Sequence, residues 1–306
     1  MGPVVLYAKC LMQDIWRHGL HWDESVPQII YSKWLEFSTQ LKIMKQITFD
    51  RKIFLNDYND VQLHGFCDAS SVGYGACLYM RTPGINDRVN SELICAKSRV
   101  APLKPITIPR LKLCGALLLT RLYQEITDIT RIKSNRIIFW CDSTIVLQWL
   151  KTPPHLLKTY IANRVAEVQE IANSVEWRHI RSEDNPADAI SKGQLPNDFV
   201  KNQLWSCGPS WLAKRENKWP NECPSVEQIP ELKKNACFLT TSIDRDIIKK
   251  YSSYNKTCKI ITYCCRWKKD NKHTGQLSVE EIYKAEIRVL KIVQATEFAK
   301  EIRPVK

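Results

Sequence analysis

Two aspartates stand where a fold can assemble a divalent-cation site. Asp68 lies in Phe66-Cys67-Asp68-Ala69-Ser70, followed by Gly73-Tyr74-Gly75-Ala76, and Asp142 lies in Phe139-Trp140-Cys141-Asp142-Ser143. Each acid comes at the end of an apolar, β-prone run. Converging strands bring such ends together, and carboxylates there are the hard oxygen ligands that divalent cations take. A third acid, Asp188, sits in Asn185-Pro186-Ala187-Asp188-Ala189-Ile190-Ser191-Lys192-Gly193, with Asp184 near enough to take its place. The plainer reading of each is a surface Asp capping a strand or helix.

These acids need strands to carry them. Gln62–Asp68 alternates as a strand, Gly73–Met80 reads as a second and Glu92–Lys97 as a third, joined by short connections rich in Ser, Gly, Pro and Asn. Pro109 opens a long helix from Arg110 to about Ile126, with proline in the first turn, where it is tolerated. Arg136–Cys141 is the next strand, Ser143–Leu150 a helix, Leu156–Ala172 another, and Val175–Ile180 the last strand; Asn185-Pro186 starts a short helix carrying Asp188. Three antiparallel strands followed by helix-linked strands predict an α/β fold, a mixed five-stranded sheet with helices on both faces. Before it, residues 1–58 read as mostly helical: Leu6 to Trp16, then Gln28 to Met44, whose apolar side is Trp34, Leu35 and Phe37. After it, residues 194–240 read as an irregular connector rich in Trp and Pro, and Ser278 to Ala299 has helical spacing.

The bulk numbers narrow the function classes. A chain of 306 residues predicts two or three pieces, and 44% apolar content supports a real core. The net charge of +13 suits a polyanionic partner such as nucleic acid, or belongs to a generally basic protein with no such partner. Residues 241–306 hold 15 basic against 8 acidic residues. The 12 cysteines are scattered through apolar runs and read as thiols in a reducing compartment, so an intracellular site, cytoplasmic or nuclear, is expected. Cys258, Cys264, Cys265 and His273 can be grouped on paper, but their spacing fits no usual zinc pattern. The N-terminus lacks a basic-then-apolar signal, and no run reaches the ~18 apolar residues that span a bilayer.

Residues 59–193 resemble the ribonuclease H domain of LTR retrotransposon polymerases, the Bel/Pao class above all. Five phrases carry the resemblance: His64-Gly65-Phe66-Cys67-Asp68-Ala69-Ser70, Ala96-Lys97-Ser98-Arg99-Val100-Ala101-Pro102-Leu103, Ile108-Pro109-Arg110-Leu111, Trp140-Cys141-Asp142-Ser143 and Asn185-Pro186-Ala187-Asp188. The stretch from Gly2-Pro3-Val4 to Asp23 resembles the segment after the reverse-transcriptase fingers and palm. Leu204-Trp205 with Gly208-Pro209-Ser210-Trp211-Leu212 resembles the stretch leading to an integrase. The resemblance thus implies a pol polyprotein fragment: 1–58 a thumb or connection remnant, 59–193 ribonuclease H-like, 194–306 a linker towards integrase, the integrase zinc module itself absent. Such families are sometimes named for a peptidase, but the chain has no Asp-Thr-Gly or Asp-Ser-Gly, and no Tyr-x-Asp-Asp polymerase motif either.

The resemblance also implies a site and a substrate. In ribonuclease H enzymes four acids hold two Mg2+ ions (Mn2+ can replace them) at one phosphodiester of an RNA–DNA hybrid, one ion activating water and the other stabilising the leaving oxygen. Asp68, Asp142 and Asp188 take three of these positions. The fourth, usually Glu, is two residues beyond Pro109-Arg110 and reads Lys112. Glu125 lies some 20 Å further along the helix axis, at about 1.5 Å per residue, and Glu92 would need the wrong strand register. A lysine there removes an oxygen ligand and one unit of negative charge, so impaired hydrolysis is expected, whether in an inactivated copy or in a binding domain without turnover. Ser70 and Ser143 stand as substrate contacts or as turn residues, Lys97 and Arg99 as phosphate contacts or solvated charges. Trp140 and Trp149 read as core.

Overall fold

The computed structural model describes residues 1–48, 61–83, 89–130, 134–221, 229–233, 251, 253–267 and 275–298. Its centre is β1 (Gln62–Ala69), buried at every position from Leu63 to Ala69. Burial on both faces explains why the strand reads as a nearly continuous apolar run. β1 pairs antiparallel with β2 (Gly73–Pro83), which pairs antiparallel with β3 (Val89–Val100). On its other side β1 pairs parallel with β4 (Arg136–Cys141), and β4 parallel with β5 (Glu176–His179). The order β3-β2-β1-β4-β5 is the predicted mixed sheet of five strands.

Helices cover both faces. On one lie α3 (Ile108–Thr130), α4 (Thr144–Lys151) and α5 (Thr159–Ile171), whose Leu113, Leu119, Trp149, Ile161 and Val165 pack onto Cys67, Leu78 and Phe139. The helix expected over Leu156–Ala172 begins later, because Pro154–Leu156 forms a separate 3-10 turn. On the opposite face lie α1 (Gly2–Arg17), α2 (Gln28–Gln40) and α6 (Ala187–Lys192), around Phe66, Tyr79 and Trp140. In α2 Phe37 is buried, whereas Trp34 and Leu35 are about half exposed, so the expected apolar side is only partly used.

The segment expected to be an irregular connector is a wall of this second core. Two short helices, α7 (Pro196–Lys201) and α8 (Gln203–Cys207), lead into a stretch that buries Trp205, Trp211 and Trp219 against Phe66 and Trp140. Tyr79 donates its hydroxyl to Trp205 O at 2.6 Å, and Arg81 Nε donates to Leu212 O at 2.9 Å.

The chain divides into two units, Met1–Lys234 and Asn235–Lys306. In the second, helix Tyr254–Arg266 packs on helix Val279–Glu297. The latter opens on a capping box, Ser278 with Glu281, and Arg266 pairs with Glu281 at 2.7 Å. His273 of the paper zinc grouping lies outside the described residues, as do Cys223 and Cys237; the ten described cysteines are free thiols. No helix among the described residues is long and apolar enough to cross a membrane.

Candidate active site

Register brings the two central acids together. In the parallel β1–β4 pair Cys67 stands opposite Cys141, so Asp68 and Asp142 follow side by side at one end of the sheet. Helices from both faces meet there. α3 runs close to β1 because Gly115 faces the Asp68 backbone; a Cβ at 115 would stand 3.0 Å from Asp68 O. Lys112, nearly one turn earlier, therefore reaches the sheet end. From the other face α6 presses on Gly75, where a Cβ would lie 2.5 Å from Ile190, and this brings Ser191 to the same place.

The Lys112 ammonium bridges the two carboxylates. Nζ is 3.0 Å from Asp68 Oδ1 and makes a short ion pair with Asp142 Oδ2. The three side chains are largely buried, 17% exposed for Lys112 and about 5% for each acid. Ser191 Oγ donates to Asp68 Oδ2 at 2.7 Å, and Ser182 Oγ to Asp142 Oδ2 at 2.8 Å. Asp142 Oδ1 is buried without a hydrogen-bond partner. Burial by itself would lower the pKa of Lys112, but the charges and hydrogen bonds of Asp68 and Asp142 outweigh it and raise it, so the lysine stays charged. Asp68 is pushed up by burial and by Asp142, with Lys112 and Ser191 opposing.

The other predicted residues fall into several settings. Asp188, in the first turn of α6, pairs with Lys192 at 2.8 Å and is 38% exposed. Among the described residues no group of three or more His, Cys, Asp or Glu converges as a metal site. Ser70 organises the β1–β2 turn, donating to Ser191 O at 2.6 Å and accepting from Val72 N. Ser143 caps α4 by accepting from Val146 N. Lys97 is half-buried and pairs with Glu125 at 3.1 Å; Arg99 is exposed. Trp140 and Trp149 are core residues.

Sequence reasoning passed over Ser182 and Ser191, although Ser191 stands inside the Asn185–Gly193 phrase. It also left Asn185 without a role. This buried residue donates Nδ2 to Cys67 O at 3.1 Å and accepts from Ala187 N, tying the start of α6 to the strand that carries Asp68. The Asn-Pro step before a short helix was the available signal.

The family description "Pao retrotransposon-like RNaseH-like domain" matches residues 1–143. The chain has a ribonuclease H-like fold, with the strand order given above. Three solved structures are similar at low identity. The N-terminal RNase H domain of a Mycobacterium tuberculosis protein, fused to maltose-binding protein, is 13% identical, with a TM-score of 0.32, over 46% of this chain and 95% of that one. LC11-RNase H1 in complex with an RNA/DNA hybrid is 11% identical, with a TM-score of 0.34, over 46% and 99%. RNase H1 from Halobacterium salinarum is 12% identical, with a TM-score of 0.29, over 47% and 98%. No curated protein matches this chain.

The residues as they stand do not fit a two-metal centre. The position a cation would take between Asp68 and Asp142 is spanned by the Lys112 ammonium, and Asp188 is engaged with Lys192. A divalent ion about 4 Å from the ammonium would meet a repulsion of about 8 kcal/mol at an effective dielectric of about 20.

Proposed function

We propose that this is a retrotransposon-derived, ribonuclease H-like protein that engages RNA–DNA hybrids or related nucleic acid, and that Lys112 has impaired or abolished its ancestral Mg2+-dependent hydrolysis of the RNA strand. The observation that carries the reading is the Lys112 ammonium lying between Asp68 and Asp142, where it supplies in cis the positive charge the carboxylates would draw from a metal. The family of residues 1–143 and the net charge of +13 support a nucleic-acid partner. In the same reading residues 1–58 and 194–306 are remnants of the polymerase connection and of the linker towards integrase, and the free thiols accord with an intracellular site.

Labelled RNA–DNA hybrid with Mg2+ or Mn2+, wild type beside Lys112→Glu, tests this. The expected result is little or no cleavage by the wild type and cleavage by Lys112→Glu. Efficient wild-type cleavage would refute the impairment; a folded but silent Lys112→Glu protein would mean that Lys112 is not the lesion. Binding without turnover is the second reading, favoured by the Asp188–Lys192 pair, which engages the third acid as well. It predicts hybrid affinity that falls steeply with salt and no cleavage even by Lys112→Glu.

A further inference from the structure

A second charged cluster lies on the α3–α5 side, built around Glu231. This residue has φ 64, the one non-glycine residue in the left-handed region among the described residues. A Cβ disfavours that conformation, so a segment needing only a turn would do better with glycine or asparagine. The glutamate there places its carboxylate between two cations. Oε1 is 2.6 Å from Arg110 Nη2, and Oε2 is 3.0 Å from Lys158 Nζ.

The backbone of 230–233 docks like a short added strand. Lys158 N donates to Glu231 O, Lys233 N donates to Leu156 O, Leu232 bridges Leu157, and Trp149 Nε1 donates to Pro230 O at 2.8 Å. Arg110 is also held from outside this segment. Arg110, in the first turn of α3, lies over the Tyr160 ring at 5.1 Å, and Arg164 stacks on the same ring at 3.6 Å. Arg110 Nε is buried with no hydrogen-bond partner, a donor that Glu231 leaves unused. The Lys158 side chain is 59% exposed, so the cluster opens to solvent. Arg110 is two residues ahead of Lys112 on the same helix.

We propose that Arg110 and Lys158 form a phosphate-binding site, and that Glu231 occupies it as an internal mimic of a nucleic-acid phosphate. A carboxylate and a phosphodiester both offer two oxygens sharing one negative charge, and here each carboxylate oxygen meets a different cation, as the two non-bridging oxygens of a phosphodiester would. A strand phosphate enters as the Glu231 carboxylate leaves, and Arg110 Nε becomes available to it. This deepens the nucleic-acid reading and rests on it for the identity of the ligand, not for the existence of the anion site.

Two measurements on the full chain separate the two ideas: thermal unfolding with and without inorganic pyrophosphate, and hybrid binding across a salt series. Glu231→Gln keeps the side chain's shape without its charge, and Glu231→Ala removes it. Pyrophosphate is expected to stabilise both variants more than the wild type. Hybrid affinity is expected to rise about fivefold or more, with the salt dependence steeper by about one to two counterions. Adding Arg110→Ala and Lys158→Ala to Glu231→Gln should return both readouts to wild-type level or below. Glu231 variants that bind pyrophosphate and hybrid no better than the wild type would overturn the site. A pyrophosphate response with no hybrid binding by any form would leave the anion site standing and remove the nucleic-acid reading.

Discussion

At the scale of residues, the lysine between two acids sets what the sheet end can do. Deleting one member of a buried ion cluster costs about 3–5 kcal/mol, because the remaining charges lose compensation. Lys112→Ala leaves Asp68 and Asp142 facing each other, so its thermal midpoint should drop by several degrees and be partly restored by millimolar Mg2+ or Mn2+. The wild type should not respond to either ion in the same experiment. Equal metal responses in the two proteins would mean that the ammonium does not stand in for a cation. The acids and the lysine are legible from type and context alone. The serine hydroxyls on them are not, since nothing in a lone Ser announces that a fold will aim it at a carboxylate. His64 makes a second prediction at this scale. It is buried in the aromatic core, accepts from Trp140 Nε1 at 3.2 Å, and burial, with Arg81, Arg136 and Arg178 nearby, lowers its pKa from 6.5 to about 3. As pH falls the unfolded chain takes up this proton first. The stability His64 contributes is complete above about pH 6.5 and drains by about 1.4 kcal/mol per pH unit towards pH 3. Urea unfolding between pH 6 and 4 should lose close to that much more per unit in the wild type than in His64→Gln; parallel slopes would mean the histidine charges without cost in the fold.

At the scale of elements, close approach of helix and strand decides the geometry. Gly65 lies under α3, and a Cβ there would stand 2.6 Å from Phe139 and 2.7 Å from Leu119, both fully buried. Gly65→Ala is expected to cost about 1–3 kcal/mol by overpacking. Chemical denaturation would show the loss, and a midpoint equal to the wild type would mean that α3 and β4 yield without strain. The strands, the start of α3 at Ile108-Pro109 and the α6 start at Asn185-Pro186 were readable because period-two alternation and proline are local signals. The tryptophan-rich stretch after α6 was not. Trp205, Trp211 and Trp219 follow no helical or strand period, so what they pack on is visible only once Phe66, Tyr79 and Trp140 stand on one face. Trp34 and Leu35 mislead in the opposite sense: spacing puts them beside Phe37, and the fold buries Phe37 more than either.

At the scale of the whole molecule, the sheet is complete within residues 62–179, yet its second face is covered from outside that range. α1 supplies Val4 and Leu11, α2 supplies Phe37, and the segment after α6 supplies Phe199, Trp205, Trp211, Leu212 and Trp219. A fragment cut to the resemblance, residues 59–193, would expose Phe66, Tyr79 and Trp140 and leave Arg81 without the Leu212 and Lys214 carbonyls that receive its guanidinium. Burying one large side chain is worth roughly 1.5–3 kcal/mol, and domains have only about 5–15 kcal/mol in hand. Losing this wall should therefore unfold the domain or drive it to aggregate. Residues 1–234 keep both faces covered. We expect this longer fragment to unfold in one cooperative transition with a midpoint close to the first unit's in the full chain, and 59–193 to show no such transition or one displaced far downwards. Matched midpoints for the two fragments would mean that the tryptophans and the N-terminal helices only decorate a core already sufficient without them.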